Sequence, residues 1–184
     1  MAADSSSDIR FEIGHVLFID IVGYSRLSLN EQRRLRETLN QVVRGTEQFQ
    51  TADSAGTLIK SPTGDGMALV FRGSPEEPVE CAVEISRALK AHRELPLRMG
   101  VHSGPASGVT DVNDQTSVAG AGINMAQRVM DCGDGGHILL SRHVARRCWL
   151  RPQMMNGQEF PQSAKRPGDG HVQPHARSLS HQPF

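Results

Sequence analysis

The run His15–Val22, bounded by Gly14 and Gly23, constrains the fold more than any other feature of the chain. It is nearly continuously apolar and rich in β-branched residues, which predicts a buried strand. Asp20 stands inside it, near the strand's end.

The rest of the chain supplies elements to pack around that strand. Ser28-Leu29-Asn30-Glu31 reads as a capping box, and Leu35, Leu39, Val42, Thr46 and Phe49 then repeat at helical spacing, predicting one long amphipathic helix. Thr57–Lys60 and Met67–Phe71 read as strands joined by the Pro- and Gly-marked turn 61–66. Ser74-Pro75-Glu76-Glu77 reads as a second capping box with proline at the first helical position, and Cys81, Ala82, Ile85, Ala88 and Leu89 form the stripe of its helix. Leu97–Ser103 is another strand, so the order is strand, helix, strand, strand, helix, strand. That is the βαββαβ order of a ferredoxin-like α+β fold. A loop from Gly104 to Ser117, a helix from about Ala119 to Cys132, a short strand His137–Leu140 and a last turn or two of helix after Ser141 complete the reading.

Composition limits the function classes. Twenty Lys plus Arg balance twenty Asp plus Glu, so no broad basic surface for nucleic acid is expected. No apolar run approaches the roughly 20 residues that span a bilayer, and residues 1–13 form a polar N-terminal segment without a signal-peptide core. The three cysteines have no paired spacing, so neither a disulfide framework nor a zinc site is expected, and a cytoplasmic location is. Residues 149–184 carry five prolines and three histidines (His171, His175, His181) with few aliphatics and no period. They are expected to form a disordered tail, because they cannot bury enough apolar surface to offset ordering entropy.

In a ferredoxin-like sheet the first strand lies antiparallel beside the third, which sets Asp20 next to Asp65. Two carboxylates about 4 Å apart repel by about 4 kcal/mol at an effective dielectric of 20. A pair of divalent cations removes that conflict, and all-oxygen ligation suits Mg²⁺ or Mn²⁺. The alternative is two unrelated turn aspartates, since Asp-Gly is a common turn pair.

Four segments share a resemblance. Phe18-Ile19-Asp20-Ile21-Val22-Gly23-Tyr24-Ser25 resembles the signature strand and turn of the class III adenylyl and guanylyl cyclases, and Thr63-Gly64-Asp65-Gly66-Met67-Ala68 is similar to their second metal motif. Leu97–Gly104 resembles the strand that follows, and Gly122–Arg128 their Asn-x-x-x-Arg helix. The motifs occur in the family's order, and the resemblance implies a catalytic domain over residues 14–148. It implies that Asp20, Asp65 and the backbone carbonyl of Ile21 hold two divalent cations, Mg²⁺ or Mn²⁺. The turn Val22, Gly23, Tyr24, Ser25 and the side chain of Arg98 would meet phosphate. Asn124 would place the ribose and Arg128 would stabilise charge on the α-phosphate. It further implies a homodimer with composite sites, the aspartates from one subunit and the Asn/Arg helix from the other. His102 reads as a structural strand histidine, the tail histidines as solvated residues.

The sequence also departs from the family. Where adenylyl enzymes carry a base-selecting lysine four residues before the second metal aspartate, this chain has Ser61, with Lys60 one place off, and a one-residue slip turns a side chain to the other face. The second selector position is Ser117, a hydroxyl that can donate or accept. The expected substrate is therefore ATP first and GTP second. The family's terminal strand pair, with its triphosphate-contacting lysine, has no counterpart after Trp149, which implies a truncated or altered C-terminal end. The expected function is purine nucleotide cyclisation in intracellular signal transduction. The alternatives are a catalytically silent cyclase-like module that binds nucleotide or a partner, or another enzyme on the same scaffold, such as a diguanylate cyclase or polymerase palm. The absence of a Gly-Gly-Asp/Glu-Glu-Phe signature argues against the last.

Overall fold

Alternation along β1 (Glu12–Ile21) divides the apolar side chains of the chain between two cores, as seen in a computed structural model that describes residues 12–110 and 116–149. Leu17, Ile19 and Ile21 face one core; Val16 and Phe18 face the other. The strand is buried from Gly14 to Ile21 because it is paired on both edges. β3 (Gly66–Phe71) and β4 (Leu97–Thr110) flank it antiparallel, and β2 (Leu58–Pro62) pairs outside β3. The core order β2-β3-β1-β4 is that of the expected ferredoxin-like fold. α1 (Leu29–Arg44) and α2 (Glu47–Ser54) follow β1, and α3 (Glu77–Ala88) follows β3. Leu35, Leu39 and Val43 of α1 and Cys81 and Ile85 of α3 cover the first core.

The later elements extend this frame. β5 (Thr116–Ala119) pairs antiparallel with the far end of β4, and β6 (Ile138–Leu140) pairs parallel with its first half. α4 (Ala121–Asp131) lies on the opposite face from α1 and α3, and α5 (Arg142–Trp149) adds Val144 to the first core. The approach of α4 is close. A Cβ on Gly100 of β4 would stand 2.5 Å from both the Ala126 carbonyl oxygen and the Met130 nitrogen, so only glycine lets the helix backbone rest on the strand.

Several local expectations hold and others do not. The Ser28/Glu31 capping box forms in full. The long helix divides, however: α1 stops at Gly45 and Thr46 starts α2, its hydroxyl accepting from Phe49 N–H and donating to the Val43 carbonyl. A threonine that can bond the local backbone competes with helix continuation, and Glu84 of α3 accepts a further N–H from Glu47. The second capping box does not form. The Ser74 hydroxyl bonds the Glu76 carboxylate instead, and α3 begins at Glu77 with Pro78 in its first turn. The expected loop from Gly104 is strand, because β1 reaches back to Glu12 and pairs with Gly104, Pro105 and Ala106. β1 thus begins inside the segment read as a polar lead-in, while the expected tail lies outside the described residues beyond Trp149.

The tight α4–β4 contact yields a stability prediction. Gly100→Ala is expected to destabilise the fold by about 1–3 kcal/mol, as overpacking against fixed backbone does. Gly64→Ala, whose Cβ meets nothing within 4 Å, should change stability by under about 0.5 kcal/mol. Equilibrium denaturation of both variants checks the contrast; equal effects would contradict the close packing.

Candidate active site

Asp20 sits at the C-terminal end of the central strand, opposite Gly66 on β3 and Arg98 on β4. Glycine is required at 66: a Cβ there would lie 1.9 Å from the Ile19 carbonyl oxygen. That close passage lets the Asp65 carbonyl accept from the Ile21 N–H at 3.0 Å, which fixes Asp65 beside Asp20. Asp20 is 5% exposed. Its carboxyl is held above the usual range, first by burial, opposed by the bond from Arg98 and reinforced by the Asp65 charge. A raised native value means that stability falls as pH climbs from the unfolded carboxylate range through that native value. Ionised Asp20 is a cost to the fold, and a cation at this end of the sheet relieves it.

The guanidinium of Arg98 is one such cation. Its Nε donates to Asp20 Oδ2 at 2.8 Å, and its Nη2 lies 3.3 Å from Asp131 Oδ1 at the end of α4. Sequence reasoning singled out Arg98 but missed Asp131. Among the described residues no group of three or more His, Cys, Asp or Glu side chains is arranged to hold a metal. The donor set is the two carboxylates with nearby backbone carbonyls. Hard oxygen donors carrying like charge, Asp20 buried and Asp65 exposed, fit a divalent cation such as Mg²⁺ or Mn²⁺.

Beyond Asp20 the chain turns sharply. Val22 N–H donates to the Pro96 carbonyl at 2.9 Å, Gly23 takes φ +76°, and Tyr24–Arg26 form a single 3₁₀ turn before α1. Residues 22–25 therefore wrap the same end of the sheet as Asp20 and Asp65. The left-handed Gly23 is what permits so tight a change of direction.

Asn124 and Arg128 lie on the exposed face of α4, with half-exposed Met125 between them. Among the described residues neither polar side chain makes a hydrogen bond or ion pair. α4 runs antiparallel to β4, Gly122 resting on Gly104 and Met130 on Gly100. Asp131 is the residue that reaches Arg98. Asn124 is seven residues earlier, about 10 Å along the helix axis. The structure thus gathers Asp20, Asp65 and Arg98 at one end of the sheet and sets Asn124 and Arg128 apart, facing outward.

The base-selecting candidates separate as well. Leu58 belongs to the α1/α3 core and Ile59 to the α4 core, so Lys60 shares the face of Leu58. Its ammonium bonds Asp53 of α2 at 2.6 Å and stands 5.8 Å from the centre of the Phe49 ring. Ser61 takes the other face, the one that Asp20 shares. Ser117 pairs with Val109 in the β4–β5 ladder. His102 is four residues from Arg98 along β4, about 13 Å at strand spacing. Burial holds its imidazole below the usual range, and its Nδ1 has no partner among the described residues. Buried Cys81 is no nucleophile, its thiol pushed up to about 12 by burial.

Known proteins share this fold. The guanylate cyclase domain of RhGC from Catenaria anguillulae, solved in complex with GTP, is 27% identical, superposes with a TM-score of 0.55, and matches 79% of this chain and 83% of its own. The adenylyl cyclase CyaB from P. aeruginosa, at 20% identity, shares the fold with a TM-score of 0.58 over 85% of this chain and 92% of its own. The chain has the fold of the class III adenylyl/guanylyl cyclase catalytic domains. A Rhizobium meliloti protein named "Putative adenylate cyclase 3" is 31% identical over 152 residues, 74% of this chain. The chain spans 23% of the length of that relative. No protein-family model matches the chain. Among the described residues no helix is long and apolar enough to cross a membrane.

The cyclase fold sharpens what can be expected of β2. Lys60→Ala should lower stability by about 0.2–1 kcal/mol, the usual worth of an exposed ion pair. It should leave the affinity for a purine nucleoside triphosphate within about two-fold, a change under 0.5 kcal/mol. Thermal melts and nucleotide titration check both; a large loss of nucleotide binding would place Lys60 in the site.

Proposed function

We propose that this chain is a purine nucleotide cyclase. It converts ATP, with GTP as the second candidate, to the 3′,5′-cyclic monophosphate and pyrophosphate at two composite sites of a homodimer, in signal transduction. What supports the reading most is the division of the polar residues. The acidic pair and Arg98 meet at one end of the sheet, while Asn124 and Arg128 face outward from α4 of the same chain. A second copy that lays its α4 face over the acidic end would bring the halves together.

In this mechanism Asp20, Asp65 and the Ile21 carbonyl hold the divalent cations. When bound, these ions supply Lewis-acid activation of the ribose 3′-hydroxyl and charge neutralisation at the leaving pyrophosphate. The turn 22–25 and Arg98 bind the β- and γ-phosphates, and Asn124 of the other chain orients the ribose. The 3′-oxygen attacks the α-phosphorus, the bond to the bridging oxygen breaks, and the 3′-proton passes to water. Arg128 stabilises the negative charge that grows on the α-phosphate oxygens during attack, which favours the transition state over the ground state. Ser61, on the same face as Asp20, meets the base edge together with Ser117. Two hydroxyls can each donate or accept, so they discriminate weakly between adenine and guanine. That weak selection favours a second reading, a nucleotide-binding module without turnover.

Mixing separates the two readings. Asp20→Ala and Arg128→Ala chains should each lose cyclisation. Equal amounts, after subunit exchange, should recover activity, about a quarter of the parent's if half the dimers are heterodimers with one intact site. Demonstrated exchange without recovery would contradict the between-subunit site, and undiminished turnover by either single variant would contradict the residue roles.

A further inference from the structure

Arg98 is shared between carboxylates of two different elements, Asp20 on β1 and Asp131 on α4. Asp131 is the last residue of α4. A carboxylate there faces the negative end of the helix dipole, an unfavourable place for an acid without a cation beside it. Arg98 is that cation. Asp20, by contrast, is the buried partner, and a divalent cation on its oxygens would both take the acceptor of Arg98 Nε and repel the guanidinium. An arginine released in this way would regain its rotamer freedom and leave the site unless a second anchor held it.

We propose that Asp131 is a positioning residue for Arg98: it keeps the guanidinium at this end of the sheet once cations occupy Asp20, so that Arg98 is already in place for the polyphosphate. The planar fork of arginine suits the role, since one edge can stay on Asp131 while the remaining N–H groups turn to phosphate oxygens. The inference rests on the cyclase reading of the site, but it concerns binding and not chemistry, so it can be tested apart from turnover.

The probe is inorganic tripolyphosphate with Mn²⁺, titrated calorimetrically into the parent, Asp131→Asn, Arg98→Ala and the double variant, with thermal melts to verify folding. Removing a negative charge near a polyanion should by simple electrostatics tighten binding. The expected result is the reverse. Asp131→Asn should weaken tripolyphosphate binding by about three- to ten-fold, and Asp131→Glu should retain most of the affinity. In the Arg98→Ala background the Asp131→Asn change should have no further weakening effect, because the role runs through Arg98. In turnover the same loss should appear in KM, with kcat within about two-fold. Unchanged or tighter binding by Asp131→Asn, an equal loss in the Arg98→Ala background, or no tripolyphosphate binding by the parent would each overturn the inference. Coupling without any cyclic product would leave it standing and remove the cyclase reading. Cyclic product without coupling would do the opposite.

Discussion

The structure depends on a buried carboxylate. Asp20 occupies a strand that is otherwise apolar and paired on both edges, with a second carboxylate fixed beside it by a glycine that admits no side chain. Asp20 is buried and Asp65 exposed, and a buried carboxylate with a like charge beside it is stabilised by positive charge close by. Arg98 provides it from the neighbouring strand, and Asp131 extends the network to the helix on the other face. The fold therefore holds the Arg98 guanidinium beside the two carboxylates that the proposed mechanism assigns to metal ions.

The sheet makes this arrangement rigid. α1 and α3 press one face of β1 while α4 presses the other, so Asp20 cannot relax toward solvent without disturbing two cores. The same layering leaves the outer face of α4 uncovered by described elements, with Asn124, Met125 and Arg128 on it. One chain thus carries on separate surfaces both residue sets that the proposed two-fold dimer would combine.

Much of this was legible in the residues. The apolar run with its embedded Asp20, the turn 61–66 and the two helix stripes were enough for the βαββαβ order, and antiparallel pairing then brought Asp65 to Asp20. The failures have local physical causes. Thr46 looked like one more position in a helical stripe, but its hydroxyl serves as a cap. Gly104-Pro105 looked like a loop, but β1 is long enough to pair past it. Ser74 looked like a cap, but its partner is the Glu76 carboxylate. Asp131 gave almost no signal, because its meaning comes from a strand residue more than thirty positions away; an acid in the last turn of a helix was the only hint. The slip between Lys60 and Ser61 was legible, since strand parity fixes which of them faces α2.

Cyclisation itself is most directly tested by its products. The purified chain, incubated with Mn²⁺ and either ATP or GTP, should yield the 3′,5′-cyclic monophosphate and an equal amount of pyrophosphate by chromatography. The corresponding 3′-deoxynucleotide should yield neither, since it lacks the attacking oxygen. A folded, dimeric chain that binds the nucleotide with Mn²⁺ yet forms no cyclic product from either purine would contradict the assignment.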